Sequence, residues 1–218
     1  MPEALPSLIL EFPPVNGVAM KVLVACEYSG RVRNAFREKG HNAISCDLLP
    51  SEDSSPYHYQ CDVFEILDSQ EFDLMIAHPP CTYLAVSGLH WNKRIPGRQT
   101  KTEDALIFVR RLLEAQIPKI ALENPVGCIS TRIRKPDQII QPWQFGENAS
   151  KKTCLWMKGL PALVPTNILA GGDKDRRANQ TASGQNKLGP SPDRWKERSR
   201  TYQGIADAMA SQWSVDIK

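Results

Sequence analysis

Cys81 stands directly behind Pro79 and Pro80, three residues after His78, which follows the apolar run FDLMIA (72–77). A free cysteine is more often a small core residue than a nucleophile. Two prolines in front of it hold the backbone extended, so Cys81 belongs to a stiff loop rather than to a strand interior. Thiolate chemistry needs such a sulfur, fixed in position with its charge stabilised. Further on, PKIALEN (118–124) ends in Glu123 and Asn124, followed by Pro125. The ordinary fate of such a pair is a solvated strand end or a helix cap. If the strands leading to Cys81 and Glu123 are neighbours, thiol and carboxyl face one pocket. A carboxyl in a partly apolar pocket holds a proton near neutral pH and can donate it.

Two further acids sit at strand ends. Asp47 closes HNAISCD (41–47), a position that accepts ribose hydroxyls in nucleoside-binding sheets; a plain turn aspartate is an equal alternative. Asp62, in QCDVF, follows a third short strand and could meet an adenine amino group, although a turn residue is the commoner outcome. The first turn, CEYSGRVR, holds only one glycine, Gly30. It is no G-x-G-x-x-G, so a pyrophosphate cradle is poorly supported while a nucleoside cofactor without phosphates remains compatible.

These residues need elements to hold them. KVLVAC (21–26) predicts a buried strand and GRVRNAFREKG (30–40) a short helix closed by Gly40. TEDALIFVRRLLEAQ (102–116) predicts an amphipathic helix capped by Thr102, and KTCLWMKGLP (152–161) another strand. Strand and helix alternate, which implies an α/β fold with a doubly wound, mostly parallel sheet, and ligands bind such sheets beyond the carboxyl ends of the strands. Glu27, Asp47, His78 to Cys81, Glu123 and Asn124 all fall there.

The chain has 218 residues, 41% apolar and 23% charged, enough for one well-cored domain. Residues 1–20 are proline-rich without sustained period and predict a flexible extension. Residues 21–164 form the core, 165–200 a basic loop, and 201–218 carry a helix with Ile205, Ala208, Met209 and Trp213 on one face. Six cysteines without a CxxC pair suit buried thiols, so no metal site is expected. No apolar run is long enough for a membrane span and no secretory signal opens the chain, which places it in a cytosol.

In order and spacing, the first turn, Asp47, Asp62, Pro79-Pro80-Cys81 with Gly88 after it, and Glu123-Asn124 resemble the motif series of the C5 cytosine DNA methyltransferases, over roughly residues 20–160 and again in the C-terminal helix. The resemblance implies a Rossmann-like class I fold using S-adenosylmethionine. That cofactor would be held by Cys26, Glu27, Tyr28, Ser29, Gly30, Asp47, Leu48, Asp62, Val63, His78 and Pro80. It implies that Cys81 attacks C6 of a cytosine while Glu123 protonates or hydrogen-bonds N3, that C5 then takes the methyl group, and that loss of the C5 proton expels Cys81. Asn124 and Lys152 complete the implied catalytic set. The target would be flipped out of duplex DNA; a free nucleotide or single strand, methylation of an exocyclic amine, and a catalytically silent nucleic-acid- or cofactor-binding protein are the alternatives. The loop after Cys81, with Ser87, Trp91 and Arg94, resembles the family's mobile catalytic loop. Glu27 and Ser29 stand where the family usually has glycines, and its Gln-x-Arg-x-Arg segment survives only as Ser150-Lys151-Lys152-Thr153, with Arg132 and Arg134 as competitors.

Gly171 to Arg200 holds eight Lys/Arg and four Asp/Glu, while the rest of the chain is nearly balanced. This stretch stands where the family has a large target-recognition region; a solvated linker is the alternative. Turn-rich sequence suits phosphate contacts better than base readout, so Lys174, Arg176, Arg177, Lys187, Arg194, Lys196, Arg198 and Arg200 are expected to contribute salt-sensitive affinity. A partner chain or second copy could complete target recognition.

Overall fold

The computed structural model describes residues 19–214. Most of the expected N-terminal extension, and residues 215–218, lie outside that range.

The apolar runs become strands because each must bury side chains on both faces. β1 (Lys21–Ala25), β2 (Asn42–Asp47), β3 (His58–Gln60), β4 (Leu74–Ala77) and β5 (Lys119–Pro125) run parallel. β7 (Thr153–Lys158) lies antiparallel between β5 and β6 (Gln138–Ile140), giving a mixed seven-stranded sheet in the order β3-β2-β1-β4-β5-β7-β6. Successive residues alternate between two cores. Val22, Val24, Leu74, Ile76 and Ala121 meet α1 (Arg31–Glu38) and the C-terminal helix on one face. Leu23, Ala25, Met75, Ala77, Ile120 and Leu122 meet α2 (Val63–Ser69) and α4 (Arg98–Leu113) on the other. Two buried faces explain why these strands read as continuous apolar runs rather than as alternating ones.

Short helices α3 (Val86–Leu89) and α5 (Ile129–Arg132) follow β4 and β5. Late in the chain come α6 (Arg194–Ser199) and α7 (Gln203–Trp213). α7 packs on α1, and the Trp213 indole N–H donates to Pro161 O at 3.0 Å. Among the described residues, no helix is long and apolar enough to cross a membrane.

One expectation needs correction. α4 opens at Arg98, a turn before Thr102, because Gly97 takes a left-handed φ of 73° that lets the backbone enter the helix earlier. Thr102 is buried inside it, its hydroxyl donating to Tyr83 O at 3.1 Å. Residues 165–193, most of the basic loop, are tied to the segment before β7, with Leu169 N donating to Trp143 O at 2.9 Å and the Asn179 side-chain Nδ2 to Ser150 O at 3.0 Å. Asn and Gln side chains there satisfy backbone groups, which is turn chemistry that shows no hydrophobic period.

The strand order reverses between β1 and β4. Chain leaving those two strands diverges to opposite sides and opens a crevice at their carboxyl ends, next to the end of β5.

Candidate active site

Cys81 is placed by the backbone on both sides of it. His78 N donates to Ala25 O at 2.9 Å, continuing the β1–β4 ladder one residue beyond Ala77. Asn124 Nδ2 donates to Pro79 O at 2.7 Å, which pins the diproline to the end of β5. Cys81 then opens a short 3₁₀ turn (Cys81–Tyr83), with Leu84 and Ala85 N–H groups donating to its carbonyl. A glycine is required at 88: a Cβ there would lie 2.6 Å from Thr82 O. The Cys81 side chain remains accessible.

Glu123 is buried beside this turn. His78 Nδ1 lies 2.9 Å from Glu123 Oε2, both side chains being nine-tenths or more buried. Burial alone would raise the Glu123 carboxyl. The Lys151 charge and hydrogen bonds from His78 and Thr153 overcome that and hold it at about 2. The expected proton-holding carboxyl is therefore ionised in the free protein. Burial pushes the Cys81 thiol up, the Glu123 charge adds to this, and Lys151 and Arg198 oppose it. Two polar atoms here are buried without a partner, His78 Nε2 and Asn124 Oδ1. Buried polar groups are nearly always paired, so such atoms mark a place built for a ligand.

Two adjoining cavities meet at the diproline. One, of about 390 Å³, runs between β2, α2 and α4 and is lined by Asp47, Leu48, Asp62, Val63, Pro80 and Phe108 among others. Asp47 Oδ1 accepts from Leu49 N at 2.9 Å, and burial raises its carboxyl above the ordinary value. Asp62 caps α2 by accepting from Phe64 N at 2.9 Å. Each carboxylate keeps an oxygen for a ligand, and Leu48 is exposed at the rim. An apolar slot with acceptors along it suits a nucleoside. The second cavity, of about 370 Å³, joins His78, Cys81, Glu123, Asn124 and Lys151 to the first turn. Cys26, Asp47, Leu48, Pro79 and Pro80 line both.

The first turn is built differently from a glycine loop. Cys26 has φ 58° and Gly30 φ 72°. Between them Glu27 turns inward, accepting from Val32 N at 2.7 Å, Arg33 N at 3.2 Å and Ser29 Oγ at 3.4 Å. Its carboxylate occupies the start of α1, where two of the four unpaired N–H groups of a helix point. Glu27 and Ser29 thus brace the turn. Tyr28 leaves it toward α6, its hydroxyl donating to Lys196 O at 2.6 Å.

In front of Cys81 lies a cleft of about 530 Å³ bounded by Ser87, Gly88, Trp91, Lys151, Lys152 and α6. Lys152 faces this cleft but does not line the cavity at Glu123, whereas Lys151 lines both. Strand parity could have found Lys151: residues 151 and 153 share a face at the start of β7, and Thr153 is bonded to Glu123. Sequence reasoning missed Trp195 and Ser199, which wall both the cavity and the cleft together with Arg198, a residue expected only among the phosphate contacts of the basic loop.

Other expected nucleic-acid residues are elsewhere. Arg94 stacks over Trp91 at 5.5 Å. Arg132 grips Glu103 in α4 at 2.9 and 3.1 Å, and Arg134 is held by Asp137 and by Met157 O. Arg176 and Lys187 are exposed. Arg177 is 6% exposed and donates to Ala170 O at 3.1 Å and Gly172 O at 2.7 Å, so it braces its own loop instead of meeting solvent phosphates. Arg177→Ala is therefore expected to cost about 1–3 kcal/mol of stability by leaving two carbonyls unpaired. Arg176→Ala should move stability by less than about 0.5 kcal/mol. Thermal melts of both variants check the contrast.

No protein-family model and no curated protein matches the chain. Among solved structures it is similar to a candidate DNA modification methyltransferase encoded within a prophage of E. coli, at 16% identity and a TM-score of 0.44. The match covers 68% of this chain and 51% of that one, so the chain spans about half the length of that structure.

Proposed function

We propose that the protein is an S-adenosylmethionine-dependent DNA methyltransferase acting on C5 of cytosine through Cys81. The observation that carries this reading is the meeting of an accessible cysteine, a buried His78–Glu123 pair and a nucleoside-shaped cavity at one sheet mouth. The accompanying fold reading is a doubly wound, Rossmann-like class I methyltransferase sheet, supported by the reversal of strand order at β1 and β4 and by helices on both faces.

The residues fit the cofactor. Asp47 would accept from ribose hydroxyls, Asp62 from the adenine amino group, and Leu48, Val63 and Phe108 would cover the rings. When bound, the sulfonium supplies an electrophilic methyl group. Glu27 is already committed to α1, so the methionine end would rely on the remaining groups of the second cavity, among them the unpaired His78 Nε2.

The chain's own residues account for the rest. The Cys81 sulfur gives up its proton to solvent and forms a bond to C6, and the C5–C6 π electrons move to C5. The ring accepts this only if N3 gains a hydrogen bond or proton. Ionised Glu123 cannot donate by itself, so the His78–Glu123 pair takes up the proton that N3 needs as the base binds. After C5 gains its methyl group, its proton passes to solvent in the cleft, the double bond re-forms and the C6–S bond breaks, returning the thiolate. Lys151 and Arg198 stabilise the anionic sulfur at the start and end of this cycle.

Two measurements on purified protein test the proposal. Calorimetric titration should give saturable heat with S-adenosylmethionine and with its demethylated product below about 1 mM, the weak end of specific affinities. Nucleoside mass spectrometry after incubation with DNA should find 5-methylcytosine. No heat with either compound removes the cofactor, and a methyl group on the exocyclic nitrogen moves the reading to amine methylation.

A further inference from the structure

We propose that the cleft in front of Cys81 takes single-stranded DNA, with unpaired bases stacking on Trp91 and Trp195. The inference rests on reading that cleft as the nucleic-acid side of the site, and it replaces the expected flipped duplex.

Two exposed indoles line this one cleft. Trp91 belongs to a 3₁₀ turn (His90–Lys93) after α3 and is 42% exposed; Trp195 belongs to α6 and is 51% exposed. Large aromatic faces are seldom left open to water on a surface without a partner to cover them. Trp91 is oriented by Arg94, and Trp195 packs at 6.3 Å, tilted, against Tyr28. Each indole is thus held by a neighbour while keeping area open.

The charge between them matches a phosphate backbone. Lys151, Lys152 and Arg198 line the cleft; Lys151 also faces the Glu123 carboxylate, while Lys152 and Arg198 are not within ion-pair distance of a carboxylate among the described residues. Glu197 is the one acid of the lining. Aromatic faces alternating with unpaired cations are the means by which proteins hold single strands, since every base has a π face and stacking tolerates any sequence. In a duplex those faces are covered by neighbouring base pairs, so the indoles would have nothing to stack on. An unpaired strand presents bases to both walls and lets one reach Cys81 without the unpairing cost.

The test uses the whole chain without cofactor, and end-labelled oligonucleotides of about 12 nucleotides, within the usual site size of such grooves. Anisotropy and intrinsic tryptophan fluorescence are read on a single strand and on the duplex of the same sequence. Binding to the single strand should be at least about 10-fold tighter and should quench the tryptophans. Trp91→Ala and Trp195→Ala should each weaken single-strand binding by about 5- to 100-fold and leave duplex binding nearly unchanged, with Trp→Phe at either position restoring most of the loss. Equal or tighter duplex binding, single-strand affinity indifferent to both alanine variants, or no binding to either form overturns the inference. Its failure is separable from that of the proposed reaction: methylation seen only on duplex DNA leaves the chemistry standing and removes the stacking site. Single-strand binding without 5-methylcytosine on any substrate does the reverse.

Discussion

On the proposed function, Cys81→Ser should lower cytosine methylation by about 10³-fold or more, in the range seen when a nucleophile is removed, while binding of S-adenosylmethionine should persist. The size of the effect follows from the surroundings of the sulfur. A serine hydroxyl attacks only with a base in hydrogen-bond contact. His78, which lines the same cavity, spends Nδ1 on Glu123, and its Nε2 has no partner, Cys81 included. Lys151 and Arg198 favour a thiolate against burial and the Glu123 charge, but neither can take a proton from a hydroxyl. The decisive measurement is covalent. DNA carrying 5-fluorocytosine cannot lose a C5 proton after methyl transfer, so wild type should remain attached to it through denaturing electrophoresis and Cys81→Ser should not. Most activity retained in the serine variant would sink covalent catalysis.

Glu123→Gln should lower turnover by about 10²- to 10⁴-fold, the usual worth of a positioned acid–base group, and it carries a stability signature that catalysis alone would not. The Glu123 carboxyl falls from an ordinary 4.5 to about 2 in the folded protein. A depressed carboxylate contributes stability that is fully present above its unfolded value and is lost as pH falls through its folded value. Wild type should therefore lose stability between about pH 4.5 and 2, and the glutamine variant should lack that part of the slope. Glutamine also leaves His78 without its anionic partner and Lys151 without the charge facing it. Chemical denaturation at a series of pH values reads the slope, and an unchanged slope would mean that Glu123 is not the anion the geometry makes it. Lys151→Ala should imitate the variant in part, whereas Lys152→Ala should not, because only Lys151 lines the Glu123 cavity.

Local pattern was enough for the long strands and for the turns after them, but not for the short β6 (Gln138–Ile140), which carries no such run. KVLVAC, FDLMIA and PKIALEN are apolar on both faces because each strand is covered on both sides, and that burial is written directly into composition. Strand ends are polar for the same reason, so Glu27, Asp47, His78 and Glu123 could be located before any contact was known. Helix boundaries were less legible. The early start of α4 depends on the left-handed backbone of Gly97, a state that glycine permits but does not announce.

Tertiary structure alone decided what those polar residues do. The Glu27 carboxylate could have faced a ligand or the start of α1; the 2.7 Å bond from Val32 N assigns it to the helix. The ionisation of Glu123 depends on Lys151, which is adjacent to it only because β7 runs antiparallel beside β5. Arg177 reads as one more charge in a basic run, yet two carbonyls of its own loop draw it inside. Trp195 and Arg198 reach the front of Cys81 because Tyr28, far away in sequence, ties α6 to the first turn. Burial is a property of short segments and leaves a periodic trace in sequence. Partner choice among charges and aromatics is a long-range contact made by residues that no spacing rule connects.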